Sequence, residues 1–207
     1  KYFFDINLLS LINVKYIISH QPLKDKGLRI LHTGINAMKM NNYEKALLRF
    51  KENFNGRKSL FIYQNEEYLQ RFFTVQNVIF YKNDDELDSL LVNTELETLK
   101  NNLILNDRYK YLTPKLKNEL ILSEIEILKY SPDEIELNVN VNSESFLVIT
   151  NNYNERWQCM VNGELVPIMK AYGTFWAIEL NKGINIVKFN YKSRNILPAR
   201  LANMLKL

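Results

Sequence analysis

From residue 121 onward, apolar and polar positions repeat every second residue. Glu134-Ile135-Glu136-Leu137-Asn138-Val139-Asn140-Val141 alternates without a break, which puts Ile135, Leu137, Val139 and Val141 on one face of a strand. Leu122 to Tyr130, Trp157 to Val161, Leu165 to Ile168, Thr174 to Leu180 and Ile184 to Tyr191 are further strand-like runs. Phe146 to Thr150 is mostly apolar, as a strand in the middle of a sheet would be. Turn residues separate these runs. Ser131-Pro132-Asp133 closes the first, Asn162-Gly163 is a strong two-residue hairpin signal, and Asn181-Lys182-Gly183 predicts a second hairpin. Seven short strands with no helix between them predict an antiparallel β-sandwich.

The first half mixes periods. Val14 to Ser19, Leu28 to His32, Ser59 to Tyr63, Phe72 to Tyr81 and Leu103 to Leu105 read as strands. Tyr43, Ala46, Leu47, Phe50 and Phe54 fall on one helix face, and Asn55-Gly56 stops that helix. A second helix starts at Asn83, which can cap it while Glu86 reaches back, and carries Leu87, Leu90 and Leu91 inward. The fold class is therefore α+β: a mixed α/β subdomain over 1–110, then a β-sandwich of about seven strands over 119–193. The polar stretch 107–120, containing Pro114, forms the boundary. In the tail, 194–207, Leu197, Leu201, Met204 and Leu205 predict an amphipathic basic helix leading towards a membrane span.

Composition narrows the function classes. With 207 residues, 46% of them hydrophobic, the chain can build a core, which excludes an intrinsically disordered protein. One cysteine cannot form a disulfide scaffold. The net charge of +4 is dispersed; Lys24 to Lys26 and Arg57-Lys58 fall short of a phosphate-backbone footprint, so nucleic acid is not expected as a partner. No apolar run is long enough to cross a bilayer. The sequence opens at Lys1 with neither an initiator methionine nor a secretory leader, which reads as a piece of a longer protein.

Candidate chemistry is sparse. His20, His32 and Cys159 lack metal-ligand spacing, so no metal and no cofactor is expected. The acidic run Asp84-Asp85-Glu86 suits a helix N-terminus rather than a calcium loop. Neither a nucleophile elbow nor a phosphate-binding glycine loop occurs, and Cys159 reads as a small core residue within a strand. No residue is assigned a catalytic role. The aromatic residues of the second half offer one binding reading. Tyr153, Trp157, Tyr172 and Trp176 could stack on sugars if exposed, or fill the space between sheets. Of the adjacent pair Phe175 and Trp176, one is expected to be the less buried.

Several segments, taken in order, resemble the C-terminal extracytoplasmic region of the YfhO-type bacterial polytopic membrane proteins. Leu11-Ile12-Asn13-Val14-Lys15-Tyr16 resembles that family's L-L-N-V-K-Y segment. Phe61 to Asn65 with Leu69 to Phe73 is similar to its Y-E-N and L-P-R-A-F stretch, Gln70 standing where proline is usual. Asn151 to Trp157, Val161 to Glu164 and Gly183 to Tyr191 resemble its Y-P-G-W, V-D-G-K and G-x-H-x-V-x-F-x-Y pattern, with Glu155-Arg156 in place of Pro-Gly and Asn162 in place of Asp. The resemblance runs from about residue 8 to 192. It implies a cell-membrane protein with this region on the extracytoplasmic side, and sugar transfer from a lipid-phosphosugar donor catalysed elsewhere in the parent chain. The expected role is an accessory domain, inert by itself, that binds or positions an envelope glycan acceptor beside the membrane portion. The rivals are a structural or protein-interaction module docking on that portion, and a free-standing enzyme.

Overall fold

The computed structural model describes residues 5–33, 40–55, 60–112 and 122–192. These fall into two compact units: one within Lys1–Arg71 together with Asp88–Lys100, the other within Phe72–Leu87 together with Asn101–Leu207. The expected line between 110 and 119 is thus replaced by an exchange of segments. The expected amphipathic tail at Leu197 to Leu207 lies outside the described residues.

In the first unit, helix α1 (Ile6–Leu11) starts at Asp5, whose carboxylate accepts hydrogen bonds from Asn7 N at 2.9 Å and Leu8 N at 3.2 Å. Strands β1 (Tyr16–Ser19) and β2 (Leu28–Thr33) come next, then helix α2 (Asn42–Asn55) and strand β3 (Phe61–Asn65). The three strands form an antiparallel sheet in the order β1-β3-β2. Phe61, Tyr63 and Asn65 of β3 point to its buried face. Asn65 is fully buried, and its amide answers the cost of that burial by donating to Ser10 Oγ and Val14 O, both at 2.9 Å. Its carbonyl oxygen accepts from Glu67 N at 3.1 Å. One satisfied side chain thereby joins α1, the approach to β1 and the end of β3.

The second unit opens with β4 (Phe72–Val75) and β5 (Asn77–Tyr81). Helix α3 (Asp84–Asn93) begins in this unit; from Asp88 it belongs, with α4 (Leu96–Asn101) as far as Lys100, to the first, and the chain returns for β6 (Asn102–Asn106) and a 3-10 turn over Asp107–Leu112. Asn83 Oδ1 accepts from Glu86 N at 2.9 Å while Glu86 Oε2 accepts from Lys82 N at 2.8 Å, so the expected reciprocal cap is formed one residue wider than the usual box. Strands β7 (Ser123–Tyr130), β8 (Glu134–Val141), β9 (Ser145–Ile149), β10 (Trp157–Val161), β11 (Glu164–Val166), β12 (Met169–Ala171), β13 (Phe175–Leu180) and β14 (Gly183–Tyr191) follow. They build a five-stranded sheet, β11-β10-β14-β8-β7, and a six-stranded sheet, β4-β9-β13-β12-β6-β5.

The inward sets of both sheets meet in one core. Ile135, Leu137, Val139, Val141, Cys159, Val187 and Phe189 come from the first, and Phe72, Leu147, Ile149, Trp176, Ile178 and Leu180 from the second. Residues of β9 and β13 that face away from this core, such as Phe146, Val148, Phe175 and Ala177, are buried too. A sheet covered on both sides reads as an unbroken apolar run, as Phe146 to Thr150 does.

The sandwich is larger than the seven strands read from the second half. Leu165 to Ile168, expected as one strand, divides at Pro167, which has no N–H for a ladder. β11 pairs with β10 in one sheet and β12 with β13 in the other. β4, β5 and β6 complete the six-stranded sheet, and β5 runs parallel to β6 across the helical crossover α3–α4. Phe72 to Tyr81, expected as one strand, breaks at Gln76, so that β4 and β5 occupy opposite edges of this sheet. In a flat sheet of this size those edges would stand about 24 Å apart, whereas the Cα atoms of Val75 and Asn77 are at most about 7 Å apart. The sheet therefore curls until its edges meet at Gln76. The Gln76 amide, nearly buried, donates to Ser143 Oγ and to Glu144 O in the turn before β9.

Two tight turns use left-handed backbone. Asn162 (φ 52°) and Gly163 (φ 87°) form the expected β10–β11 hairpin, and Tyr172 (φ 47°) and Gly173 (φ 73°) join β12 to β13. Asn181 to Gly183 is a turn but not the hairpin expected there: β13 and β14 belong to different sheets. A Cβ on Gly163 would meet nothing within 4 Å, while one on Gly173 would lie 2.7 Å from Leu87 Cδ2. Gly163→Ala should cost about 1 kcal/mol from the backbone alone, and Gly173→Ala more, because the buried Leu87 must also move. Urea unfolding midpoints of the two variants test that order.

Candidate functional site

The loop between β9 and β10 is fixed from below. Trp176 Nε1 donates to Asn152 O at 3.0 Å, Tyr153 N donates to Thr174 O at 2.6 Å, and Thr174 Oγ1 bonds Asn152 Oδ1 at 3.3 Å. The next turn is closed by Asn154, whose Oδ1 accepts from Arg156 N at 2.9 Å and whose carbonyl accepts from Trp157 N at 3.1 Å. This rigid loop sets Tyr153 to Arg156 along one wall of an open pocket of about 840 Å³. Arg108 and Tyr109 of the 3-10 turn and Lys170 of β12 supply the rest of the lining.

The lining carries three cations, Arg108, Arg156 and Lys170, against one carboxylate, Glu155. Among the described residues none of the three cations makes an ion pair; the two guanidinium groups contact phenols, and Lys170 does so only through its backbone N–H. Arg108 Nη2 donates to Tyr109 OH at 2.8 Å and the guanidinium carbon lies 4.7 Å from that ring's centre. Lys170 N donates to the same hydroxyl at 3.5 Å, and Arg156 Nη1 reaches Tyr191 OH at 3.4 Å. Burial holds the Tyr153 phenol above its ordinary pKa, with Tyr109 and Glu155 acting the same way and Arg108 opposing. Tyr153 is therefore a protonated hydroxyl donor at neutral pH. Guanidinium forks, an ammonium, phenols and a carboxamide suit a polyhydroxylated ligand that carries negative charge. Glycoside hydrolysis needs two facing carboxyl groups, and this lining has one.

Of the four aromatics singled out in the sequence, the structure brings only Tyr153 to the pocket. Trp157, half-buried at the start of β10, packs its ring 4.8 Å from that of Trp176 and 5.4 Å from that of Tyr191. Trp176 and Tyr172 are 1% and 3% exposed. The expectation that they stack on a sugar is corrected: neither ring has a face open to a ligand. The expected difference between Phe175 and Trp176 is absent as well, because β13 lies inside a sheet covered on both sides. Trp176 instead anchors the pocket loop through its indole N–H, and the Tyr172 hydroxyl donates to Asn102 O at 2.6 Å, tying the β12–β13 turn to β6. Arg108, Tyr109, Arg156 and Lys170 were missed by sequence reasoning. Lys170 joins the others only through the pairing of β12 with β6, which no local pattern announces.

Cys159 is fully buried in the sandwich core, and burial pushes its thiol pKa far up. His20 and His32 are exposed, and among the described residues no three His, Cys, Asp or Glu side chains converge to hold a metal ion. Among the described residues no helix is long and apolar enough to cross a membrane.

The family model described as bacterial membrane protein YfhO matches residues 99–197. The resemblance read from the sequence holds over that stretch, which contains every pocket residue. Neither the curated proteins nor the solved structures give a match.

Trp176→Phe keeps the ring in the core and removes the bond to Asn152 O. The variant should lose about 1–3 kcal/mol of stability, with line broadening or shifts in the amide resonances of 151–156. Cys159 should stay unreactive towards a disulfide reagent in the native protein and react once denaturant is added.

Proposed function

We propose that this chain is an extracytoplasmic accessory domain of a membrane glycosyltransferase-like protein, and that its pocket binds and positions an envelope glycan acceptor. The match of residues 99–197 to a bacterial membrane protein family supports the membrane setting. The observation that carries the glycan reading is the pocket itself, in which Arg108, Arg156 and Lys170 accompany the hydroxyls of Tyr109 and of Tyr153, the latter on a loop anchored to the core. Its single carboxylate gives no acid–base pair, so the domain holds the acceptor while groups elsewhere in the parent chain carry out transfer. The surplus of cations favours an acidic glycan over a neutral one.

Calorimetric titration of the purified chain with acidic and neutral envelope oligosaccharides tests this. Acidic oligosaccharides should bind, more weakly as salt rises. Arg156→Ala should weaken them about 10- to 100-fold, as loss of a charge-assisted hydrogen bond does. The Trp157 and Trp176 fluorescence should shift on binding. Equal affinity for neutral oligosaccharides would remove the acidic preference, and no binding by either class would sink the reading. Sugar transfer by the purified chain alone would refute an accessory role.

A further inference from the structure

Helix α2 presents an apolar stripe to solvent. Tyr43, Leu47, Phe50 and Phe54 are 75%, 47%, 69% and 83% exposed, and Ala46 beside them is exposed as well. At 3.6 residues per turn these five side chains share an arc of about 100°. The Phe50 and Phe54 rings stack with centres 6.4 Å apart. Leu48, on another face, is the half-buried one, so the stripe is not the side by which the helix packs.

The helix is closed at its start by its own groups: Asn41 Oδ1 accepts from Glu44 N at 2.9 Å and Glu44 Oε2 accepts from Asn41 N at 2.8 Å. This reciprocal cap fixes where the helix begins without help from packing. A 14-residue helix is nonetheless marginal in water by itself. Covering the stripe is what would stabilise it.

We infer that α2 lies along an anionic bilayer surface, its aromatic stripe sunk to the headgroup–acyl boundary. Charge complementarity selects this occupant. Lys51 borders the stripe on one side, and Arg49 and Lys45 lie round the other, all three exposed, so their stems can reach lipid phosphates while the rings enter the apolar layer. The helix has two acids against these three bases, Glu44, which is engaged in the cap, and Glu52, so its net charge is still positive. A match to a bacterial membrane protein family brings such a surface within reach of the chain. The inference does not depend on the glycan reading, since glycan-free vesicles test it.

The purified chain is sedimented with phosphatidylcholine vesicles with and without phosphatidylglycerol. It should bind the anionic vesicles, and high salt should weaken binding. The double variant Phe50→Ser/Phe54→Ser should lose at least about tenfold in partitioning. The triple variant Lys45→Gln/Arg49→Gln/Lys51→Gln should lose its preference for phosphatidylglycerol. All five side chains are exposed, so urea midpoints should not move, and an unchanged midpoint certifies the fold. No co-sedimentation, or undiminished binding by the double serine variant, overturns the inference. So does a concentration-dependent dimer in ultracentrifugation that the serine variant abolishes, because a second copy would then be the occupant.

Discussion

A single residue separates two strands that occupy opposite edges of one sheet. Gln76 imposes closure on β4, β9, β13, β12, β6 and β5, and closure decides what the rest of that unit can be. The curl wraps the outer faces of β9 and β13, so both strands are apolar on two sides and neither can offer a ring to solvent. Trp176 is sealed in for this reason. Ligand chemistry is left to the loops at the rim, where polar groups can be spared from the core. The Gln76 amide, held by Ser143 Oγ and Glu144 O, locks the closure at the turn that launches β9.

Trp176 transmits that order to the surface. Its ring packs against Trp157 and Phe189 inside the sandwich, and its N–H holds Asn152 in the loop that carries Tyr153 to Arg156. Of the pocket's cations, Arg156 thus stands on a loop whose position is set by the core. In the first unit the buried Asn65 amide does a comparable task, converting one polar side chain into a junction for α1 and the three-stranded sheet.

What the sequence made legible was local. Alternation in Glu134 to Val141 gave β8 its inward face, Asn162-Gly163 gave its hairpin, and Asn83 with Glu86 gave the start of α3. Each depends on residues within a few positions of one another. The break at Gln76 and the change of sheet at Pro167 were not legible, since partner choice for β5 and β12 is settled by strands far along the chain. The same distance hid the pocket. Arg108, Arg156 and Lys170 are ordinary scattered cations until β6, the β9–β10 loop and β12 converge, and of the aromatics only Tyr153 could be picked out beforehand. The periodicity of α2 was read correctly, but a stripe does not disclose whether the protein itself will cover it.

The meeting of β4 and β5 at Gln76 also bears on self-association. Unpaired strand backbone is a template on which another copy can add a strand. Here the six-stranded sheet leaves open only the free sides of a four-residue and a five-residue strand. In the five-stranded sheet one border is the three-residue β11, and the other, β7, is interrupted by a register shift between Ile127 and Lys129 and carries Glu124, Glu126 and Lys129. Among the described residues the two sheets of the second unit are thereby guarded against growing into ordered polymers at high local concentration.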